Sequence, residues 1–294
     1  MIVLYTLQSL LCKFYTDNYP GNEENSSSVF TIVCGIVTPI TAFVVSSFSF
    51  SFSYLTILFG VLNAITLYVY YYLIIKASAT GPYSVLISFS LSGAIILPTI
   101  ANSLFFDERL GYIRPFIIVL IVISSRMISQ KSDEQKITFG FLLCCIALGI
   151  SNGIYGTLLN AQQECTSPEE SSEMVALTFF GAAVISVVKL FLQNKSKALN
   201  AFKQTKKSLF FLIVCSLISS FAIHIFVYIL PLVNVTLLYT FDSSGVLLLS
   251  VIASAIFFKE KLNKKNIAGC CLLCCCLIAM TLADYIEDFI VKLI

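Results

Sequence analysis

The sequence predicts an all-α membrane protein, a polytopic bundle of about ten transmembrane helices built from two inverted five-helix repeats. Three observations indicate this: an apolar composition, ten long apolar stretches, and a sequence match between the two halves. Of the 294 residues, 58% are hydrophobic and 12% are charged, and the mean hydropathy is +0.92. Soluble domains are about 45–50% apolar and about 25% charged. The composition therefore excludes a soluble domain, a disordered chain, a nucleic-acid-binding protein and a disulfide-rich secreted scaffold.

The apolar stretches are long enough to be spanning helices. A spanning helix needs about 20 mainly apolar residues, because the hydrocarbon core is about 30 Å thick and each residue rises about 1.5 Å. Barrel strands would alternate every two residues, and lipid offers no partner for open backbone groups, so helices are predicted. Ten stretches fit, the first of them short: 1–15, 28–50, 53–76, 82–106, 112–129, 137–160, 174–193, 208–230, 233–258 and 266–286.

Basic residues indicate how the chain is oriented. The odd-numbered connections between stretches hold 15 of the 18 Lys and Arg residues, and the even-numbered connections and the termini hold three. The positive-inside rule then predicts cytoplasmic odd connections, with both termini outside. The acidic connection 162–173 is predicted to face outside. We expect a multi-pass protein of the cell membrane.

The two halves match at an offset of 152 residues. Segment 82–110 overlays segment 234–262 without gaps, and 11 of 29 positions are identical, including Ser92/Ser244 and Gly93/Gly245. Each segment is the fourth stretch of five, and five is odd, so the halves are predicted to insert in opposite senses, as in many transporters. The predicted repeats are residues 1–136 and 137–294.

The ends of the matching segments resemble a known superfamily. They read LFFDERL at 104–110 and IFFKEKL at 256–262, and the fourth stretch starts with Gly81-Pro82. With the five-plus-five arrangement, they resemble the drug/metabolite transporter superfamily, specifically its ten-helix members built from two EamA-type repeats. The resemblance implies a central cavity with alternating access that exports small metabolites or drugs. It also implies cytoplasmic termini, where the charge count favours the outside. The carboxylate that four-helix members use for proton coupling has no match in stretch 1–15.

Asp242 is the only acidic residue predicted well inside a helix. With helix nine starting near Pro231, Asp242 lies about 16 Å along it, close to the membrane midplane. A carboxylate there costs at least about 2.5–3.5 kcal/mol and usually marks an ion or substrate pathway. His224, in helix eight, could approach it across the hairpin. We expect Asp242 to titrate during the cycle or to neutralise a cationic substrate; a neutral acid in a helix contact is the alternative.

Hydroxyl side chains recur at every fourth residue in helices four and nine, so each set shares one helix face. Such a face lines a wet cavity or bonds to carbonyls of its own helix. Gly93 and Gly245 favour a third interpretation, close helix packing. The residues are Ser84, Ser88 and Ser92 in helix four, and Thr236, Thr240 and Ser244 in helix nine.

Other polar side chains in apolar helices are weaker candidates. The offset of 152 sets His224 opposite Tyr72, the last residue of a run of three tyrosines. Either residue could contact substrate, or be a hydrogen-bonded histidine and an interfacial tyrosine. The remaining polar groups line the pathway or join helices with about 0.6–2 kcal/mol each. They are Gln8, Asn63, Asn152 and Tyr155.

Glu108 and Glu260 each precede a basic residue at a helix end, so we expect them to form pairs or caps near the headgroups. Five of the 11 cysteines lie in the last helix, between Cys270 and Cys276. Zinc ligands must converge from separate segments, whereas thiols on successive turns of one helix point in several directions. The cysteines are therefore predicted to act as small apolar residues, and no metal or cofactor is expected.

These features predict a secondary transporter. The sequence has no phosphate-binding loop, nucleophile elbow or H-E-x-x-H pair, so we expect neither nucleotide hydrolysis nor an enzyme. The predicted partners are a small-molecule substrate and the lipid bilayer, with no nucleic acid, in a monomer or homodimer; proton coupling is left open. A non-transporting membrane receptor or assembly subunit is the alternative.

Overall fold

The structure is a computed structural model, and it describes residues 1–21, 23–46, 50–78, 83–106, 111–129, 138–166, 170–193, 201–257, 263–283 and 287. Most of these residues are helical, and the described residues contain no strand. The all-α prediction is therefore confirmed. Each helix overlaps one of the ten predicted stretches, although α2 begins and ends five residues before the predicted stretch 28–50. The helices are α1 (Ile2–Asn18), α2 (Glu23–Val45), α3 (Tyr54–Ser78), α4 (Tyr83–Phe105), α5 (Ile113–Ser129), α6 (Phe139–Cys165), α7 (Ser171–Gln193), α8 (Lys206–Ile229), α9 (Val235–Phe257) and α10 (Lys264–Thr281).

Eight of these helices are long and apolar enough to cross a membrane, within the described ranges. They are all except α1 and α5, which have 17 residues each. A helix of that length spans about 25 Å, less than the hydrocarbon core of about 30 Å. By length and composition the chain is a multi-pass membrane protein. The crossing of α1 and α5 stays a prediction.

Polar caps define where several helices begin. The hydroxyl of Thr138 accepts a hydrogen bond from the backbone N–H of Phe141 at the start of α6, and Thr205 does the same for Ser208 at the start of α8. Asn263 begins α10 with a reciprocal pair of hydrogen bonds to Asn266. Such caps satisfy N–H groups that have no partner within the helix.

The expected start of helix nine near Pro231 is wrong. Pro231 lies in a 3₁₀ turn, Leu230–Leu232, and α9 begins at Val235. The side chain of Asn234 accepts from the backbone N–H of Leu237 at 3.0 Å, which caps the new helix. Asp242 is therefore seven residues along α9, about 10 Å from its start rather than 16 Å.

Large apolar side chains cover the outside of the bundle. Ile36, Val61, Phe180, Phe221 and Ile252 are exposed although each lies inside a long helix. In water, exposed apolar surface of this kind would promote aggregation. Lipid removes that cost, so these faces fit a chain whose mass lies in the bilayer.

Each half of the bundle packs closely against the other. Helix α2 packs on α7 and α8, and α3 packs on α6 and α7. Helix α4 lies between α6 and α9, α5 packs on α10, and α1 packs on α8 and α9. Buried apolar residues of α1, α2, α3, α6, α7, α8 and α9 form the largest core cluster. The centre is therefore lined by helices from both halves.

One of the two predicted glycine contacts is very tight. A Cβ on Gly93 would overlap the backbone carbonyl of Gly149, and a Cβ on Gly153 would lie 2.5 Å from the carbonyl oxygen of Gly93. Only glycine lets α4 and α6 approach this closely. A Cβ on Gly245 would instead meet the flexible end of Ile2, 2.8 Å away.

Candidate functional site

Asp242 and four tyrosines, each from a different helix, form one connected group inside the bundle. We call Tyr5 (α1), Tyr71 (α3), Tyr155 (α6), Tyr239 (α9) and Asp242 (α9) the central cluster. Tyr5 and Tyr239 lie within electrostatic reach of Asp242 and of each other. Tyr155 lies within reach of Tyr5, Tyr239 and Tyr71. The cluster therefore joins helices of both halves at a single place.

The cluster is in the interior but is not closely filled. Protein atoms surround the side chains of Tyr5, Tyr71, Tyr155 and Asp242 as they do in a core. Each of the four nevertheless keeps an intermediate share of accessible surface. Well-packed interiors leave few voids as large as a water molecule. Partial accessibility at this depth indicates an open space between the helices.

Asp242 is not paired by any side chain of the described residues. Its Oδ1 atom is buried without a hydrogen-bond partner. The positive charge within its electrostatic reach is the amino group of Met1, and not a lysine or arginine side chain. An unpaired polar group buried in an apolar medium is costly, and an ionised carboxylate more so. Such a group is typical of a site that is completed by a ligand or a proton.

A hydrogen bond and a close contact with a glycine hold Tyr239 in place on one side of the central cluster. The Tyr239 hydroxyl donates to the backbone carbonyl of Gly156 at 2.8 Å. A Cβ on Gly156 would lie 2.7 Å from the Tyr239 ring, so the close approach requires glycine. The ring of Phe226 packs edge-on against Tyr239, with centroids 5.1 Å apart. The ring of Tyr239 is therefore held in place by protein contacts before any ligand binds.

Asn152 joins α6 to α4 beside the cluster. Its Nδ2 donates to the carbonyl oxygen and to the hydroxyl of Ser90, both at 3.0 Å. Tyr70 also hydrogen-bonds to Ser90, and its ring lies 5.6 Å from that of Tyr71. Asn152 thus joins two helices and supports the tyrosines, and its described contacts are protein contacts.

The hydroxyl sets divide into two groups. Ser92 donates to the carbonyl oxygen of Ser88 at 2.7 Å, within its own helix. The hydroxyls of Ser88, Thr236, Thr240 and Ser244 are buried and have no hydrogen-bond partner. The side chain of Ser84 lies outside the described part of the structure. Ser92 therefore bonds to a carbonyl of its own helix, as one interpretation predicted, while the other four hydroxyls keep free hydrogen-bonding capacity in the core.

His224 contacts α2 rather than Asp242. Its Nε2 lies 3.2 Å from the hydroxyl of Thr41, which also contacts the hydroxyl of Ser220. The Nδ1 atom of the ring is buried without a hydrogen-bond partner. No electrostatic interaction joins His224 and Asp242, although both lie in the described part of the chain. The hypothesis that they approach each other is not supported by these contacts.

Tyr72 also faces away from the cluster. The Nζ atom of Lys189 (α7) lies 4.3 Å from the centroid of its ring, a cation–π contact between α3 and α7. Lys189 also lies 5.8 Å from the ring of Tyr68, one helical turn earlier. Of the three consecutive tyrosines, Tyr72 therefore joins helices, whereas Tyr71 belongs to the cluster.

The carboxylate of Glu170, unlike that of Asp242, accepts several hydrogen bonds from its neighbours. The side chain of Glu170 accepts hydrogen bonds from the hydroxyl of Thr56 at 2.5 Å and from the backbone N–H of Ser53 at 2.9 Å. Nearby, Gln162 accepts from the hydroxyl of Ser171 at 3.1 Å. We call these five residues the Glu170 network. The hydrogen bond from Thr56, then that from Ser53, holds the pKa of Glu170 below its ordinary value of 4.5.

The remaining candidates lie partly outside the described residues. Glu108 and Glu260 lie outside the described residues, as does Lys261. Within the described ranges, no three His, Cys, Asp or Glu side chains are grouped so that they could hold a metal ion. Cys271, Cys274 and Cys275 are exposed on the outside of α10, whereas Cys276 is buried.

Sequence reasoning selected only part of the central cluster. It selected Asp242 and noted Tyr155 as a polar group in an apolar helix, but it did not single out Tyr5 or Tyr239. Tyr239 precedes Asp242 by three residues, so both share one face of α9. That spacing is the signal that could have identified Tyr239, whereas no comparable pattern marks Tyr5.

The fold resembles solved structures along its whole length. A chain described only as a crystal structure of a protein matches with a TM-score of 0.75 at 12% identity, over 96% of this chain and 94% of that chain. At this identity the likeness concerns the fold alone. No protein-family model matches the chain, and no curated protein matches it.

Proposed function

We propose that this chain is a secondary transporter that exports small metabolites or drugs by alternating access through the central cluster. The observation that carries the proposal is the unpaired, partly accessible carboxylate of Asp242 among tyrosines from four helices. A polar space of this kind inside a multi-pass bundle is costly unless a solute or ion uses it. In transporters, substrate sites lie near the midplane between repeats.

Helix positions support the inverted repeat on which alternating access depends. Helices α3 and α8 begin at Tyr54 and Lys206, and α4 and α9 begin at Tyr83 and Val235. Both pairs are 152 residues apart, which is the offset of the sequence match. Helices α4 and α9 have 23 residues each.

Helix neighbours support the same repeat. Suppose that each helix is replaced by the helix five places away in the chain. The contact between α3 and α7 then corresponds to the contact between α8 and α2, and the contact between α3 and α6 corresponds to that between α8 and α1. All four contacts are present. The contacts α2 on α7, α4 on α9 and α5 on α10 are unchanged by the exchange, and they too are present. This pattern is typical of two halves related by a pseudo-two-fold axis.

The proposed family is the drug/metabolite transporter superfamily, in its ten-helix, EamA-type form. The closing motifs of helices four and nine support it, and so does the symmetric arrangement of helix neighbours. The proposed location is the cell membrane, with connection 162–173 outside and connections 193–207 and 259–265 in the cytoplasm.

Labelling with an impermeant thiol reagent tests the orientation. In a background without native cysteines, we expect Pro168→Cys to react in intact cells and Asn200→Cys to react only after permeabilisation. The basic residues that flank the membrane hold their connections on the cytoplasmic side. Labelling at position 200 but not at 168 in intact cells would contradict the orientation without affecting the proposed site.

Efflux from reconstituted vesicles tests the transport function. Vesicles loaded with a broad metabolite mixture should lose at least one metabolite faster than protein-free vesicles, as followed by mass spectrometry. Asp242→Asn should slow that loss by about tenfold or more, the equivalent of about 1.4 kcal/mol. Glu170→Gln, which also converts a carboxylate to an amide, should leave it unchanged. A folded protein that moves nothing in the panel would favour a receptor or an assembly subunit instead.

A further inference from the structure

The charges around the central cluster restrict what it can bind. Lys189 lies over Tyr72 and Tyr68, and Arg126 lies over the ring of Phe89 at 4.3 Å, and these three rings are not part of the cluster. Among the described residues, no basic side chain interacts with Asp242. An anionic solute would therefore meet the carboxylate without a compensating basic side chain, where the low dielectric magnifies repulsion.

Aromatic rings make up the rest of the cluster. Tyr5, Tyr71, Tyr155 and Tyr239 come from four different helices, and Tyr70 packs next to Tyr71. Rings beside a carboxylate attract cations, and quaternary ammonium groups are commonly bound in aromatic cages.

We propose that the central cluster binds a monovalent organic cation, with the Asp242 carboxylate as its counter-charge and the tyrosine rings as its walls. The inference rests on the proposed function, since it names the substrate class of the same site. A single carboxylate balances one positive charge. The fixed ring of Tyr239 and the partly accessible rings of Tyr5 and Tyr155 suit an alkylated ammonium better than a strongly hydrated metal ion.

Ligand series of matched shape test the charge requirement. Choline and benzyltrimethylammonium are the cationic probes, 3,3-dimethylbutan-1-ol is the neutral isostere of choline, and 3,3-dimethylbutanoate is the anion. The readout is the thermal unfolding midpoint of the full chain in lipid nanodiscs, which a ligand of the folded state raises with concentration. We expect a saturable rise with a cation and none with the neutral or anionic compound.

Substitutions test which atoms recognise the cation. Asp242→Asn should weaken binding about tenfold or more, since it removes the counter-charge. Tyr155→Leu should weaken binding roughly 5- to 30-fold, while Tyr155→Phe, which keeps the ring, should stay within about threefold. Tyr72→Leu and Glu170→Gln are the matched controls outside the cluster, and both should bind like the wild type.

The outcomes separate this inference from the transport function. Saturable binding of a cation that depends on Asp242, in a protein that moves nothing, would uphold the inference and overturn transport. Transport of a neutral or anionic metabolite that survives Asp242→Asn would uphold transport and overturn the inference. Failure of both cations to bind a folded wild type would overturn it, as would loss of binding in Tyr155→Phe equal to that in Tyr155→Leu.

Discussion

The centres of α4 and α9 correspond in the sequence but differ in structure. The offset of 152 sets Ser90 opposite Asp242. Ser90 is fully buried and accepts both hydrogen bonds of the Asn152 amide. Asp242 keeps accessible surface, and its Oδ1 has no hydrogen-bond partner. Two positions that match in the sequence can thus be closed by protein contacts in one helix and left open in the other.

The glycines three residues further on show the same difference. Gly93 touches the backbone of α6, which cannot move aside without moving the helix. Gly245 faces the tip of the Ile2 side chain, which can change rotamer. We conclude that α4 is fixed to α6 beside its serine, whereas α9 borders the open space beside its aspartate.

The largest effect is expected at Gly93. Gly93→Ala should lower the free energy of unfolding by about 3 kcal/mol or more, because the added methyl group forces two backbones apart. Gly245→Ala is the matched control, and it should cost less than about 1 kcal/mol because the side chain of Ile2 can adjust. Thermal unfolding midpoints in detergent measure both. Equal losses would mean that the two helix centres are packed alike.

A smaller loss is expected at Asn152. Asn152→Ala removes the amide that donates to Ser90 and should cost about 1–2 kcal/mol, the range for hydrogen bonds between membrane helices. The corresponding change in the other half, Asp242→Ser, removes an unpaired carboxylate and should cost no stability. Denaturation of both variants in mixed detergent gives the comparison. A loss of stability in Asp242→Ser would show that the carboxylate makes a structural contact.

The smallest effect is expected at Glu170, whose carboxylate is paired. Glu170→Gln should lower stability by less than about 1 kcal/mol at neutral pH, because the site is close to solvent. In the folded protein the pKa of Glu170 lies below 4.5, so the ionised carboxylate stabilises the fold above pH 4.5. This stabilisation is lost as the pH falls through the lowered pKa. Unfolding midpoints at pH 7 and at pH 3 measure the difference in stability between the wild type and Glu170→Gln, and this difference should be smaller at pH 3. A constant difference would mean that Thr56 and Ser53 bond equally well to the amide.

The sequence alone determined the class of the protein, its helices and its most unusual residue. Hydrophobicity and helix length are local properties, so ten apolar stretches could be recognised one at a time. Asp242 stood out for the same reason, since a carboxylate inside an apolar helix is rare wherever the neighbouring helices lie. The start of α9 was misplaced by four residues because the cap at Asn234 competes with Pro231 as a beginning.

Only the tertiary structure decided which polar groups meet. Tyr71 and Tyr72 are adjacent in the chain, yet one belongs to the central cluster and the other lies against Lys189. His224 was expected near Asp242 and instead contacts Thr41 of α2. Consecutive residues on a helix point about 100° apart, so the rotation of each helix in the bundle selects its inward residues. That rotation is set by packing between helices far apart in the chain, such as the contact of Gly93 with α6.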